Sequence, residues 1–257
     1  MKFLQSLSAQ VSLRTQGAIL ALGILFIILD ALTEPMNPAI DLAWVTVIIC
    51  GLPLLINSVQ SILDHLEIHA NFLIVVAMVA LIAIGDYHTA AYVGLIVHGG
   101  FFLEQLITGE AHYTLDDDML PTMPKQLVAL RQGINNYSSV IVVAVMLLSM
   151  GSFALTQDFK HTITLLVVLC PCSLELILVA LMMGSLVDEN SPTAGLSKDA
   201  KQCHLGLLIV SILFHVAIIG AGVLGTITPV TAVALHGLAR LGLVYNLKVL
   251  DGSLCVA

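Results

Sequence analysis

Long apolar runs separated by short polar connections form the main pattern of this chain. Eight runs can be read, at about residues 17–33, 40–60, 70–85, 88–107, 137–155, 161–187, 203–225 and 229–249. Each has about 16–27 residues, close to the roughly 20 that an apolar helix needs to cross a bilayer. The pattern predicts an all-α fold, a polytopic membrane bundle of eight transmembrane helices.

The polar connections give a simple organisation of helices and linkers. The parts are an N-terminal segment (1–16), four helices (17–107), a linker (108–136), helices five and six (137–187), a second linker (188–202), helices seven and eight (203–250) and a C-terminal tail (251–257). Segments as short as these linkers rarely build a core of their own. We therefore expect no separate soluble domain within the chain.

The composition agrees with a membrane location. Apolar residues make up 58% of the chain and charged residues only 10%, whereas a soluble domain carries about 25% charge. Membrane lipid is the expected surrounding, and nucleic acid is excluded as a partner. Five cysteines, an odd number, argue against a disulfide framework.

The basic residues predict the orientation of the bundle. Eight spans place both termini on one side, and seven basic residues fall on that side: Lys2, Arg14, Lys125, Arg131, Lys198, Lys201 and Lys248. Lys160 is the one basic residue on the opposite side, and Arg240 falls inside the last span. Because cytoplasmic loops carry the excess of Lys and Arg, we expect a multi-pass protein of the cell (inner or plasma) membrane with both termini and both linkers cytoplasmic.

A Cys-Pro-Cys triplet, Cys170-Pro171-Cys172, lies inside the sixth apolar run. Proline removes a helical hydrogen bond and clashes with the preceding turn, so we expect the helix to open there. Soft thiolate ligands select Zn²⁺, Cd²⁺ or Cu(I). Glu175 stands three residues after Cys172, on the same helical face. It is interpreted either as a metal ligand or charge-balancing group, or as a protonated acid hydrogen-bonded within the bundle.

Several further motifs accompany the Cys-Pro-Cys triplet. They are Trp44–Pro53, Ala83–Tyr87, Gly100–Glu104, Leu127–Gly133 and Val244–Leu250. Together with the triplet they resemble the membrane domain of heavy-metal-transporting P-type ATPases. The resemblance covers nearly the whole chain and implies the same eight spans. It also implies that Cys170 and Cys172 are metal ligands. Leu127–Gly133 resembles the start of the family's actuator domain.

Two histidines stand where the resemblance leads us to expect a Lys and an Asp. His215 and His236, in the last two apolar runs, occupy those positions of the zinc and cadmium members. Two imidazoles would complete a Cys₂His₂ set, which suits Zn²⁺. The alternative is a pair of neutral core histidines bonded to backbone carbonyls. The expected cargo is a transition metal ion, Zn²⁺ first, with Cd²⁺ and Cu⁺ left open.

The sequence lacks the parts of such a pump that hydrolyse ATP. It has no Asp-Lys-Thr-Gly phosphorylation motif and no glycine loop for phosphate, so we expect no enzyme activity. Phe101 replaces the first acid of the family's Gly-Glu-x-Leu-Glu stretch. Glu104 matches the second acid, and we expect it to be solvated or to cap a helix near the cytoplasm.

Two minor expectations concern proline and glycine. Pro53, after Cys50 and Gly51, is expected to break the second helix at a structural kink. Six glycines are expected to be close helix-packing positions: Gly94, Gly99, Gly100, Gly220, Gly222 and Gly225.

The leading hypothesis is metal binding and transmembrane transport without intrinsic ATP hydrolysis. One alternative is a regulatory or membrane subunit of a split metal-transporting ATPase, with a separate ATPase or soluble catalytic protein as partner. The other is a minimised or decayed pump fragment that binds metal without transporting it.

Overall fold

The computed structural model describes residues 13–33, 41–65, 71–108, 125–170 and 198–250. These ranges contain eight α-helices and no strand, which confirms the predicted all-α class. The helices are α1 (Leu13–Thr33), α2 (Ala43–His65), α3 (Asn71–Ala83), α4 (Tyr87–Thr108), α5 (Lys125–Thr156), α6 (Phe159–Val168), α7 (Lys198–Val223) and α8 (Pro229–Leu250).

Five of these helices are long and apolar enough to cross a membrane. The spans, in α1, α2, α4, α5 and α7, are Leu13–Thr33, Ala43–Gln60, Tyr87–Ile107, Ser139–Thr156 and Leu205–Val223. Large apolar side chains such as Ile28, Leu147 and Leu213 are exposed on them, and apolar surface of this extent is typical of contact with lipid. The chain is a multi-pass membrane protein. The apolar parts of α3, α6 and α8 are shorter, so a count of eight crossings stays a prediction.

Two helices begin earlier than the apolar runs indicate. Helix α5 begins at Lys125 rather than near 137, and α7 begins at Lys198 rather than near 203. The added first turns contain Lys, Gln, Leu, Ala and Arg, which all favour helix, and their Lys, Gln and Arg residues keep these turns out of the apolar runs. The stretch 127–133, which resembles the start of an actuator domain, therefore lies within a helix in this protein.

Helix α6 ends immediately before the Cys-Pro-Cys triplet. Its last residue is Val168, Leu169 follows in a turn, and the Cys170 amide donates a hydrogen bond to the Val167 carbonyl at 3.2 Å. Because a proline disfavours helical geometry in the residue before it, the helix stops at this point. Cys172 and Glu175 lie outside the described residues.

Helix α2 remains helical through Pro53, so the predicted break is wrong. Proline is tolerated in a membrane helix where neighbouring groups satisfy the freed carbonyl. Cys50, one turn earlier, is fully buried. A Cβ atom added to Gly23 of α1 would lie 3.1 Å from the Cys50 Sγ, and one on Gly94 of α4 would lie 3.2 Å from its Cβ. The two glycines thus let α1 and α4 pack closely on α2.

The remaining glycines of the predicted set differ from one another. A Cβ on Gly222 would lie 2.7 Å from the Val168 Cγ2, so α7 and α6 touch at this glycine. A Cβ on Gly99 would make an ordinary contact at 3.7 Å. A Cβ on Gly100 or on Gly220 would have no described neighbouring atom within 4 Å. Close packing is therefore confirmed at Gly94 and Gly222, and it is wrong for Gly100 and Gly220.

Helices α4, α6 and α8 lie at the centre of the bundle. Helix α4 packs against α1, α2, α3 and α8, and α6 packs against α3, α5, α7 and α8. The core between them is apolar and includes Leu81, Val93, Ile163, Val168 and Leu243, all fully buried. This arrangement places the end of α6 inside the bundle.

Four helices begin at one end of the bundle, which we call the short-loop end (residues 41–42, 84–86, 157–158 and 224–228). Each start is capped by a side chain: Asp41 accepts from the Ala43 amide, Asp86 from Thr89, Asp158 from Lys160 and His161, and Thr228 from Thr231. Such caps satisfy amides that the first turn leaves without partners.

Two glycines make the turns at this end. Gly85 and Gly225 have φ angles of 81° and 67°, which glycine adopts without steric cost. The amide after each reaches back into the preceding helix: Asp86 donates to Leu81 and Thr226 donates to Ala221. This is the Schellman ending, and it lets α3 and α7 turn sharply into the next helix.

An ion pair joins two of the short loops. The Lys160 Nζ lies 2.8 Å from an Asp86 carboxylate oxygen. Partial burial opposes ionisation of Asp86, but hydrogen bonds from Lys160 and Thr89 outweigh it, so the pKa of Asp86 is lowered. The hydrogen bond and charge of Asp86 raise the pKa of Lys160. The pair fixes the start of α6 against the turn between α3 and α4.

Replacement of Asp86 by Asn should reduce the acid dependence of stability. A lowered folded-state pKa contributes stability above the unfolded value of about 3.9, and this is lost as the pH falls through the folded value. The raised pKa of Lys160 contributes below about 10.4, and that part is lost as the pH rises through its folded value. Thermal unfolding in detergent between pH 2.5 and 7 should give a shallower fall for Asp86→Asn. Equal slopes would contradict this.

Candidate metal centre

His215 and His236 lie side by side in the bundle. Their rings, on α7 and α8, have centroids 5.0 Å apart and planes tilted by 60°. Only 5% of His215 and 7% of His236 is exposed. The two helices follow each other and pack together, which brings residues 21 positions apart in the sequence into contact. The structure therefore brings together the two histidines that the sequence singled out.

Cys170 is buried at the end of α6. It is 3% exposed and packs in an apolar cluster with Leu73, Val142, Val145 and Leu166. It forms no disulfide. The cluster draws on α3, α5 and α6, so three helices hold the first thiol of the triplet in place.

A cleft connects Cys170 with His236. Its walls come from α3, α4, the end of α6 and α8. Its lining is mostly apolar, and the polar members are Cys170, His236 and Arg240. A thiol and an imidazole therefore share one surface. The His215 ring lies against this imidazole, which belongs to His236. Sulfur and imidazole nitrogen are the donors that Zn²⁺ prefers.

Arg240 and Glu104 form a second polar feature at the cleft. The Arg240 Nε donates to the Glu104 Oε2 at 2.9 Å, and its Nη2 donates to Oε1 at 3.3 Å. Arg240 also lies over the Phe101 ring, 5.3 Å from its centroid. The side chains are 23% and 20% exposed, so the expectation of a solvated or capping Glu104 is wrong. The two-pronged guanidinium fits a carboxylate and offsets the cost of its burial.

Other predicted residues lie elsewhere. Cys172 and Glu175, two of the five proposed ligands, fall outside the described residues. His98 of α4, a histidine outside the proposed set, is buried and does not line the cleft. Cys170, His215 and His236 are thus the proposed ligands whose positions the structure describes.

A further group of donor residues was not anticipated from the sequence. Ligand atoms of Asp30, Asp41 and His88 all lie within 4.8 Å of one another at the short-loop end. One signal was present, an acidic residue near the end of the first apolar run. The residues are far apart in the chain and match no spacing motif, so only the packing of α1, α2 and α4 brings them together.

The chain was compared with protein-family models, with curated proteins and with solved structures, and none of the three comparisons gave a significant match.

Proposed function

We propose that the chain binds a transition metal ion, Zn²⁺ in first place, within the membrane and moves it across the bilayer without hydrolysing ATP itself. The proposed ligands are Cys170, Cys172, His215 and His236, with Glu175 as a further ligand or balancing charge. The observation that carries the proposal is the pair of buried histidines, one of which lines the same cleft as Cys170.

The charges of this donor set suit a divalent soft ion. Two thiolates and two neutral imidazoles give a net charge of −2, which Zn²⁺ neutralises in a tetrahedral site. The other charges at the cleft, Arg240 and Glu104, neutralise each other through their two hydrogen bonds. With Glu175 protonated, a bound divalent ion would therefore leave no uncompensated charge among these groups, as the low polarity of the bundle requires.

Transport requires that the ion also leaves. A closed set of four protein ligands holds Zn²⁺ tightly, and conduction needs sites weak enough to release their ion. Cys170 follows the last turn of α6 rather than lying within the helix. We propose that ligand exchange at this helix end releases the ion.

The resemblance to metal-transporting P-type ATPases supports a role as the membrane part of a metal transporter. The sequence carries the triplet and the apolar runs of that membrane domain, without the phosphorylation motif. A split pump, in which a separate ATPase drives this membrane subunit, is the second candidate function. The same ligands would serve in both cases.

Metal analysis of the purified chain tests the proposed centre. We expect the zinc content to fall by one ion per chain in Cys170→Ser/Cys172→Ser. The matched control is Cys203→Ser/Cys255→Ser, which removes two other thiols and should keep the metal. Equal zinc content in both double variants would refute the assignment.

Liposomes with a trapped zinc-sensitive dye then separate the candidate functions. Zn²⁺ influx without ATP, abolished in Cys170→Ser/Cys172→Ser, supports transport by the chain alone. Zinc binding with no influx favours the subunit of a split pump. Co-purification of a soluble ATPase would then identify the protein that drives it. Influx equal in the wild type and the variant would contradict both.

A further inference from the structure

The short-loop end carries a cluster of ligand-type side chains separate from the cleft. Asp30 comes from α1, Asp41 precedes α2, and His88 lies in the first turn of α4. Each offers one donor atom, and these atoms lie within 4.8 Å of one another. Three different segments thus converge on one point with two carboxylates and one imidazole.

Two of these donors are already at the separation of neighbouring metal ligands. The His88 Nδ1 lies 3.2 Å from the Asp30 Oδ2. Ligand atoms that are each about 2.1 Å from one ion lie about 3.0–3.5 Å apart in tetrahedral or octahedral sites. The third donor, from Asp41, lies within 4.8 Å of the other two.

Backbone amides hold both carboxylates. The Leu42 amide donates to the Asp30 Oδ1 at 2.7 Å, and the Ala43 amide donates to the Asp41 Oδ1 at 3.0 Å. Consecutive amides at the start of α2 therefore fix one oxygen of each acid. Metal-binding carboxylates in proteins are commonly oriented by such secondary hydrogen bonds.

The charge at this point is not balanced by the protein's permanent cations. Asp30 is only 5% exposed, and burying a carboxylate beside a second one is costly unless a cation neutralises them. Within the described ranges, neither Asp30 nor Asp41 forms an ion pair with Lys or Arg, and Lys160 is held by Asp86. His88 is the one basic side chain described at the cluster.

We propose that Asp30, Asp41 and His88 form a second metal site, which binds a divalent first-row transition ion at the short-loop end. Two carboxylate oxygens and one imidazole nitrogen suit harder ions such as Mn²⁺ better than the thiolate set does. The ion compensates the charges of the buried Asp30 and the part-buried Asp41, and it ties α1, α2 and α4 together. The site goes beyond the proposed function, because it shares no ligand with the centre at Cys170.

Electron paramagnetic resonance of Mn²⁺ tests this site, since bound and free Mn²⁺ give different signals. The protein is full-length Cys170→Ser/Cys172→Ser in detergent, which lacks the proposed thiolate ligands. We expect one bound Mn²⁺ per chain. His88→Gln and Asp41→Asn should each weaken binding at least about 10-fold, and His161→Gln, a histidine change at the same end, should leave it unchanged.

A variant that misfolds would also lose Mn²⁺, so the folding of each variant is checked separately. Asp30→Asn alters a buried group, so the thermal midpoint without metal is measured for every variant. Asp41 is less buried than Asp30, and Asn caps a helix about as well as Asp, so Asp41→Asn should keep the wild-type midpoint while losing Mn²⁺. Absence of Mn²⁺ binding in the Cys170→Ser/Cys172→Ser protein, or equal binding in His88→Gln and His161→Gln, would overturn the proposal. The result is independent of zinc binding at Cys170, whose failure would leave the Mn²⁺ signal intact.

Discussion

Replacing His236 with Ala should weaken Zn²⁺ binding by at least about 100-fold. Among the described residues, His236 both contacts the ring of His215 and lines the cleft with Cys170. Loss of a residue that only supports a metal ligand typically costs 10- to 100-fold in affinity, so loss of a direct ligand should cost at least the upper value. A factor of 100 corresponds to about 2.7 kcal/mol.

The measurement is a competition titration against a chromophoric zinc chelator at pH 7.5. His98→Ala is the matched control, because His98 is equally buried in a neighbouring helix but lies away from the cleft. It should bind Zn²⁺ like the wild type. Equal affinity of His236→Ala, His98→Ala and wild type, with all three folded, would remove His236 from the ligand set.

Gly222→Ala should destabilise the bundle by about 1–3 kcal/mol. The new Cβ would lie 2.7 Å from the Val168 Cγ2, so one of the two helices has to shift. Val168 is 1% exposed, and its branched side chain has few alternative rotamers. Overpacking of this kind typically costs that amount. Because Val168 lies two residues before Cys170, the shift should also loosen zinc binding.

Gly220→Ala provides the control on the same helix. No atom lies within 4 Å of its added Cβ, and alanine favours helix over glycine by up to about 1 kcal/mol. Reversible unfolding in mixed micelles should therefore place the two variants on opposite sides of the wild type. A Gly222→Ala protein as stable as Gly220→Ala would show that α6 and α7 do not touch at this position.

The helices could be anticipated because the bilayer leaves few options. A chain in hydrocarbon has to satisfy its backbone polar groups internally, so apolar runs of sufficient length become helices. The position of each start is a weaker inference. Helix α5 begins at Lys125, in a stretch that mixes polar and apolar residues, and a hydropathy pattern has no signal for a helix that extends out of an apolar run.

The contacts of the site are less predictable than the helices. The resemblance placed His215 and His236 as candidates, but the composition of an apolar helix does not determine which way it is rotated. The pairing of Arg240 with Glu104 joins residues 136 positions apart. Arg240 was visible as a charge inside an apolar run, whereas its partner depends on how α4 and α8 pack.

The cluster of Asp30, Asp41 and His88 also could not be predicted from local sequence. Asp41 and Asp86 have local roles as helix caps, and capping residues at such positions can be expected from sequence. Asp30 has no local role of this kind: it accepts from Leu42, twelve residues away, and faces His88 of a third helix. Its function follows from the assembly of three segments.

The short length of α6 has an electrical consequence. Its ten residues span about 15 Å, half of a hydrocarbon layer about 30 Å thick, and its first turn is fastened to the short-loop end by Asp86 and Lys160. With α6 along the membrane normal and the short-loop end at the bilayer surface, an ion that reaches Cys170 from that end would cross about half of the transmembrane voltage. For a divalent ion this amounts to about 2.3 kcal/mol per 100 mV, or roughly 50-fold in occupancy. A polarised membrane would thus load or empty the centre according to its sign.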